Sequence, residues 1–454
     1  MREWVGEDGL RSLRASWEKH PCVLCTGVDA AHELFSLELA KRIAPLQAQT
    51  DLCAVRTSHG NRVDALASER TVPAARIDQL WHNGFTLQCH HPQRFEHCTR
   101  LYRLLASFEA ATSSLCGSNA YITPPNCQGL PLHFDNIEAL VFQVSGRKRW
   151  LVYEPVHGFP RHSQRDLSGS SCMSGRKLLI DRELSPGDIL YMPRGTPHEA
   201  VASQSQSSVH VTISLYERNA VGDFALELVK SALEQPLESS NASFARSSGL
   251  RKGLPWSADE QTACRAVLNA FGDEDVLASL PSSSKRAMRN FAMDFVCSRL
   301  PPPPEEVCEQ GPCPAQGDRV RNVVADRKSW TVDEESGTVV HCIRNKRRFH
   351  MVSSPHGKWT ATDAGDAVVS QEGGQDEDNE EEEEEEMQQT VQLEENSMKD
   401  AERMLSALSE DDAVAIHELS SEAHQAAIRL WCAGMVSTVP PNGSRKRKRR
   451  GEAG

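Results

Sequence analysis

The sequence predicts an α+β protein, with a β barrel or sandwich in its first half and helices after it. Three observations lead to this prediction. Short apolar runs of strand length recur up to about residue 217, helical periodicity replaces them from residue 218, and two histidine-containing motifs lie among the strands. The chain has 454 residues, enough for about three domains and a sizeable core.

Composition excludes several classes of protein. No window approaches the ~18 consecutive apolar residues of a membrane span, and the first residues lack the basic and apolar regions of a secretory signal. We therefore expect a soluble intracellular protein without a membrane partner. The 14 cysteines form no regular framework and indicate reduced thiols. Cys22 and Cys25 have the CxxC spacing of zinc or redox sites, although the same segment is typical of a short buried strand.

The net charge of −13 combines two opposite runs. Ten carboxylates lie between Asp376 and Glu386, and six basic residues occupy positions 445–450. The rest of the chain is mildly acidic, which argues against a protein built mainly to hold nucleic acid.

Residues 1–217 form the first predicted region. Its strand candidates end in turn signals, and the segment Pro92 to Ser114 has the apolar period of a helix that packs outside the β core. Examples of the predicted strands are 139–144, 149–153, 189–192 and 209–215.

Helices and a second, smaller fold are predicted after residue 217. Residues 218–300 have helical spacing near positions 223–233, 257–271 and 288–295. In residues 318–440, segments 339–343 and 348–352 are expected to pair as strands, and a helix is expected from Ala423 to Val436. The remaining predicted regions are a proline-rich linker at 301–317, a disordered acidic insert at 371–396 and a basic tail at 441–454.

Two motifs carry the predicted chemistry. His133 and Asp135 are two residues apart, so on a strand their side chains share a face. Downstream, the segment from Pro186 to His198 (PGDILYMPRGTPH) has the glycine, proline and histidine spacing of the second cupin motif. An HxD pair alone is weak, but two histidines and a carboxylate in this order match the facial triad of non-haem Fe(II) oxygenases.

A cation is also predicted in this barrel. Lys148, Trp150 and Val152 share a face by alternation, and an inward ammonium is costly without an anion. Lys148 is thus the candidate for holding the distal carboxylate of 2-oxoglutarate; otherwise it is one of three solvated basic residues in a hairpin.

Five motifs together make the sequence recognisable: residues 117–129 (GSNAYITPPNCQG), His133 to Ala139 (HFDNIEA), GRKRW from Gly146, PGDILYMPRG from Pro186 and TISLYERN from Thr212. The chain resembles the JmjC-type ribosomal oxygenases, a nuclear and nucleolar family described as histidyl hydroxylases and histone lysine demethylases. The nucleolar branch is the more similar one.

The resemblance implies a double-stranded β-helix (jelly-roll, cupin) barrel over 1–217, a helical dimerisation domain over 218–300 and a winged-helix-like domain over 318–440. It implies Fe(II) bound by His133, Asp135 and His198, with 2-oxoglutarate and O2 as co-substrates. It further implies that 2-oxoglutarate contacts Lys148, Asn119, Tyr121 and Ser214. Without the resemblance, Asn119 would be interpreted as an ordinary polar residue of a turn or loop. His210 is interpreted as a residue that packs behind the metal ligands.

The implied substrates are a histidine of a ribosomal protein or methylated lysines of a histone tail, and one active site can serve both. The implied location is the nucleus, most specifically the nucleolus. The competing hypothesis is a catalytically silent scaffold for chromatin or ribosome assembly, with the acidic insert binding basic tails. The basic tail is a nuclear localisation signal or an RNA-binding arm, and the acidic insert weighs against nucleic acid binding by the winged-helix region.

Overall fold

A computed structural model describes residues 2–25, 28–59, 61–156, 158–215, 220–238, 274–326, 328–333, 336–343, 345–350 and 390–439. Contacts divide the chain into two units. Residues 1–217 and 295–454 form the first, and residues 218–294 form the second.

Thirteen strands are described in the first 217 residues. They are β1 (Cys22–Cys25), β2 (Leu46–Gln47), β3 (Leu52–Ser58), β4 (Asn61–Asp64), β5 (Thr71–Val72), β6 (Thr86–His90), β7 (Cys116–Thr123), β8 (Glu138–Gly146), β9 (Lys148–Tyr153), β10 (Leu178–Leu184), β11 (Ile189–Met192), β12 (His198–Ala202) and β13 (Ser208–Leu215). The four helices of this region are α1 (Arg2–Ser16), α2 (Leu37–Arg42), α3 (Ala74–His82) and α4 (Thr99–Thr112).

Two antiparallel sheets form the barrel. The larger has the order β1-β11-β8-β13-β7-β6-β3-β4, and the smaller has the order β10-β9-β12. Side chains of β8, β11, β9 and β12 pack together between the sheets, as Val141, Met192, Val152 and Ala200 do. The predicted double-stranded β-helix barrel is therefore confirmed.

The sequence of strand β8 is almost continuously apolar because both faces of the strand are buried, one in the barrel and one against the helices. Ala139 and Val141 point into the barrel, whereas Leu140 and Phe142 belong to the core shared with the helices. The helix predicted between residues 92 and 114 is present as α4, preceded by a 3-10 turn at Pro92–Arg94. Its buried apolar residues pack outside the sheet as predicted.

The turn between β8 and β9 requires glycine. Gly146 has a φ of +60°, and a Cβ built there would lie 1.6 Å from the carbonyl oxygen of Ser207. Such a position is strained for any L side chain and also has no space for one. The turn fixes where β9 begins, and so places Lys148 at the first position of that strand.

The C-terminal part of the first unit has two three-stranded sheets. Their strands are β14 (Arg319–Asn322), β15 (Trp330–Asp333), β16 (Thr338–His341), β17 (Thr390–Gln392), β18 (Val414–Ala415) and β19 (Val436–Val439), in the orders β18-β14-β19 and β15-β16-β17. Two helices, α7 (Met398–Ser406) and α8 (Ala423–Cys432), pack on them around Met404, Leu430 and Val436. The second unit contains helix α5 (Val221–Glu238) and most of helix α6 (Glu274–Ser298). The ring centres of Phe224 and Phe291, one on each helix, are 6.0 Å apart.

Three predictions in this half are wrong in detail. The described part of segment 348–352, residues 348–350, does not pair with 339–343. Arg347–Phe349 form a 3-10 turn whose Arg347 side chain donates to backbone carbonyls near the barrel. Strand β16 pairs with β15 and β17 instead. The helix predicted from Ala423 to Val436 ends at Cys432, because Gly434 takes a φ of +75° and starts the turn into β19.

The third error concerns the acidic insert. Its predicted end at residue 396 is too late, since Thr390–Gln392 form a strand and Glu395–Ser397 a 3-10 turn. The predicted helix at 257–271, the rest of the insert at 371–389 and the tail at 441–454 lie outside the described residues.

Candidate metal centre and buried cavity

The structure brings His133, Asp135 and His198 together. Their ligand atoms all lie within 4.8 Å of one another, and Nε2 of each histidine is 3.9 Å from Oδ2 of Asp135. His133 and His198 exchange backbone hydrogen bonds as an antiparallel bridge. The backbone N–H of Gly195 donates to the Asp135 carbonyl oxygen at 2.8 Å, so the two sequence motifs are tied together by main-chain contacts.

Hydrogen bonds orient both imidazoles. Nδ1 of His133 lies 2.8 Å from the carbonyl oxygen of Pro131, and Nδ1 of His198 lies 2.9 Å from that of Thr196. A carbonyl only accepts, so each Nδ1 carries the proton and each Nε2 presents a lone pair to the centre. Burial lowers the pKa of both histidines to about 4. Both rings are therefore neutral near pH 7, as metal ligands must be.

Asp135 supplies the negative charge of the cluster. Burial raises the pKa of its carboxyl group, and the neighbouring His198 and Arg165 act in the opposite direction. A divalent cation at the centre would favour the carboxylate form strongly. The donor set of two imidazole nitrogens and one carboxylate oxygen suits Fe(II), with positions left open on the metal.

Lys148 lies in the same cavity without a counter-ion. Its side chain is 5% exposed, its Nζ donates to Oγ1 of Thr123 at 3.3 Å, and it lies 5.8 Å from the Trp150 ring centre. No carboxylate among the described residues forms an ion pair with it. Burial lowers the pKa of Lys148 to about 7. An anion bound beside the ammonium would relieve this unfavourable state.

The cavity has a volume of about 510 Å³ including its open mouth. Its walls come from both sheets, and the polar ones other than the three ligands are Thr86, Tyr121, Lys148, Trp150, His210 and Thr212. The same cavity thus contains the metal-ligand cluster and a cation without a carboxylate partner among the described residues.

The other predicted residues differ in their positions. Tyr121 lines the cavity and accepts a hydrogen bond from Nε2 of Gln88 at 3.2 Å. Asn119 is not among the lining residues, and its Oδ1 lies 3.3 Å from Nδ1 of His90. Ser214, buried on β13 opposite Ala139 of β8, does not line the cavity either. Contact between these three residues and a co-substrate stays a prediction.

Sequence reasoning missed the positions of two residues at the site. His210, interpreted as packing behind the ligands, forms part of the wall. Thr123, the hydrogen-bond partner of Lys148, was not identified, although it follows Tyr121 by two residues on β7 and so shares its face.

Comparisons with known proteins show which family the region that carries the site is similar to. Residues 88–222 match the JmjC domain family. Ribosomal oxygenase 2 of Bos taurus is 32% identical over 289 residues, 59% of this chain and 59% of that protein. Ribosomal oxygenase 1 of Homo sapiens is 35% identical over 255 residues, 53% of this chain and 37% of that protein.

A third relative is named bifunctional lysine-specific demethylase and histidyl-hydroxylase NO66 of Drosophila sechellia. It is 30% identical over 332 residues, 69% of this chain and 49% of that protein. The solved structure of Escherichia coli ribosomal oxygenase YcfD is 17% identical with a TM-score of 0.42, covering 79% of this chain and 91% of that one. The chain spans 37% to 59% of the length of these three curated relatives. The resemblance to JmjC-type ribosomal oxygenases is confirmed, and residues 88–222 are a JmjC domain.

Proposed function

We propose that this chain, whose barrel is a JmjC domain, is an oxygenase that depends on Fe(II) and 2-oxoglutarate. The observation that carries the proposal is the joint presence, in one buried cavity, of a His-Asp-His cluster and an ammonium without a carboxylate partner. Such a cavity can bind a divalent metal cation at the cluster and a dicarboxylate beside the ammonium at the same time.

The chain's own residues perform binding and orientation. His133, Asp135 and His198 would hold Fe(II), and the carbonyls of Pro131 and Thr196 keep the two imidazoles turned toward it. When bound, iron with 2-oxoglutarate and O2 supplies the oxidising chemistry that places a hydroxyl group on a substrate carbon.

The co-substrate is oriented by the cation at the start of β9. Lys148 would pair with the far carboxylate of 2-oxoglutarate, and Thr123 limits the rotation of the ammonium by accepting a hydrogen bond from it. The aromatic wall formed by Tyr121 and Trp150 excludes water around this pair, which strengthens the electrostatic attraction.

The substrate we favour is a histidine side chain of a ribosomal protein, with demethylation of histone lysines as a further activity. The names of the relatives support both. We further propose a nuclear, nucleolar location, supported by the basic run at 445–450, and a homodimer formed through residues 218–300. Residues 318–440 would be a winged-helix-like domain. No described helix is long and apolar enough to cross a membrane.

Mass spectrometry tests the activity. The purified protein with Fe(II) and 2-oxoglutarate is offered peptides of ribosomal proteins and methylated histone tails, with His133→Ala as the control. We expect one added oxygen on a histidine, accompanied by succinate, and neither with the variant. Loss of methyl groups alone would make demethylation the main activity. Absence of both modifications and of succinate would favour the scaffold hypothesis instead.

A further inference from the structure

His210 is fixed in the cavity wall by aromatic rings on two sides. It lies on β13 and is 3% exposed. Its ring stacks on Tyr121 with centres 4.6 Å apart and planes at 5°, and it meets the Trp150 ring edge-on at 5.2 Å. The ring therefore has one defined orientation beside the cavity that also contains Lys148.

A nitrogen of this ring has no partner in the described part of the structure. Nδ1 of His210 is fully buried and makes no hydrogen bond, and the same is true of Nε1 of Trp150 on the same wall. Buried polar groups are nearly always paired. Two ring nitrogens without partners, in a cavity that also contains an ammonium without a carboxylate partner, indicate that this wall is completed by a polar ligand.

The charge of the surroundings defines the chemistry of that ligand. Burial, then Lys148 and His198, hold the pKa of His210 well below its usual value, so the ring is neutral and offers one N–H donor and one acceptor. The groups that face it are Lys148, Tyr121, Trp150 and His198. An anion that accepts hydrogen bonds fits this set, whereas a second cation does not.

We propose that His210 is a co-substrate-binding residue, which donates a ring N–H to the 2-oxo dicarboxylic acid held by Lys148. This inference rests on the proposed function and adds a second binding contact to it. The residue contributes through a hydrogen bond and not through stacking alone, since the stacked partners Tyr121 and Trp150 need no nitrogen in the ring.

Two substitutions separate these roles. His210→Phe keeps an aromatic ring against Tyr121 and Trp150 but removes both nitrogens. His210→Gln loses the ring and keeps an N–H donor. Affinity for 2-oxoglutarate is measured by calorimetry on the full chain loaded with Mn(II) in the absence of O2, so that binding is observed without turnover. The affinity of each variant for Mn(II) is measured first.

We expect His210→Phe to weaken 2-oxoglutarate binding roughly tenfold or more, the loss typical of a hydrogen bond to a charged group, with Mn(II) affinity within about threefold of the wild type. His210→Gln should bind 2-oxoglutarate more tightly than His210→Phe. Binding by His210→Phe within twofold of the wild type would overturn the inference, and so would a parallel loss of Mn(II) affinity. If the wild-type protein itself bound no 2-oxoglutarate, the proposed function would fail together with the inference.

Discussion

Replacement of Glu109 by glutamine should destabilise the protein strongly, because its carboxylate joins three parts of the chain. Glu109 is fully buried on α4. Its Oε1 accepts from the backbone N–H of Cys116 at 3.0 Å and lies 2.8 Å from Nε2 of His350, while its Oε2 accepts from the backbone N–H of Leu300 at 2.7 Å. All three partners are placed to donate.

The tautomer of His350 follows from the hydrogen-bond network. Oε1 of Gln93 accepts from Oγ of Ser118 at 2.6 Å, so the amide nitrogen of Gln93 faces Nδ1 of His350 at 3.0 Å and donates to it. Nδ1 is therefore an acceptor, and the ring proton sits on Nε2, directed at Glu109.

A glutamine at position 109 cannot satisfy this arrangement. Whichever way its amide is turned, the NH2 group faces at least one N–H donor. The substitution then loses one or two hydrogen bonds to a charged acceptor and leaves a buried backbone N–H unpaired, so we expect a loss of about 2–4 kcal/mol in the free energy of unfolding. Urea unfolding followed by tryptophan fluorescence measures it.

Glu305→Gln is the matched control. Glu305 pairs with Nε of Arg103 at 3.0 Å, but both side chains are about half exposed. An exposed pair contributes less than about 1 kcal/mol. A loss for Glu109→Gln no larger than that for Glu305→Gln would refute the argument that burial and three converging donors determine the effect.

Three further predictions concern the barrel. Lys148→Met should abolish 2-oxoglutarate binding in calorimetry. It should also raise the free energy of unfolding of the ligand-free protein at pH 7 by roughly 2–5 kcal/mol, because burial lowers the pKa of Lys148 from 10.5 to about 7. Between pH 7 and pH 10.5 the folded state therefore binds fewer protons than the unfolded state, so the free energy of unfolding of the wild type should rise from pH 7 to pH 10 more steeply than that of Lys148→Met. Parallel pH profiles of the two proteins would contradict this prediction. Gly146→Ala should cost at least about 3 kcal/mol in the same unfolding assay, because its Cβ meets the Ser207 carbonyl. Asp135→Ala should lose Mn(II) binding in calorimetry while the helices and sheets, followed by circular dichroism, are retained; undiminished Mn(II) affinity would exclude this carboxylate as a ligand.

The metal-ligand cluster was predictable because its signals are local. His133 and Asp135 are two residues apart, and the turn before His198 has its own glycine and proline spacing. Strand alternation also predicted that Lys148 and Trp150 face inward. These inferences need only the geometry of one strand or one turn, which a single sequence contains.

Other features depend on contacts between distant residues. His350 and Glu109 are 241 positions apart, and no periodicity relates a 3-10 turn in one region to a helix in another. The strand Thr390–Gln392 is three residues long and follows the acidic run, so it was assigned to the insert. Strand alternation put His210 on the same face of its strand as Thr212 and Ser214. It did not show whether that face lines a cavity or packs in the core, because the difference depends on the distance between the two sheets.

The polar groups of the cavity argue against an inert scaffold on energetic grounds. Lys148 is buried without a carboxylate, nitrogens of His210 and Trp150 lack partners among the described residues, and desolvation raises the pKa of the partly buried Asp135. Each of these groups destabilises the ligand-free protein, and apolar side chains of similar size would fill the same space at lower cost. A divalent cation would offset the cost of the desolvated Asp135 carboxylate. A dicarboxylate would offset the cost of the buried Lys148 ammonium and of the unpaired nitrogens in the same cavity. The cost of keeping these groups in the cavity therefore favours a binding site for a divalent cation and a dicarboxylate, the two ligands of the proposed function, over an inert scaffold.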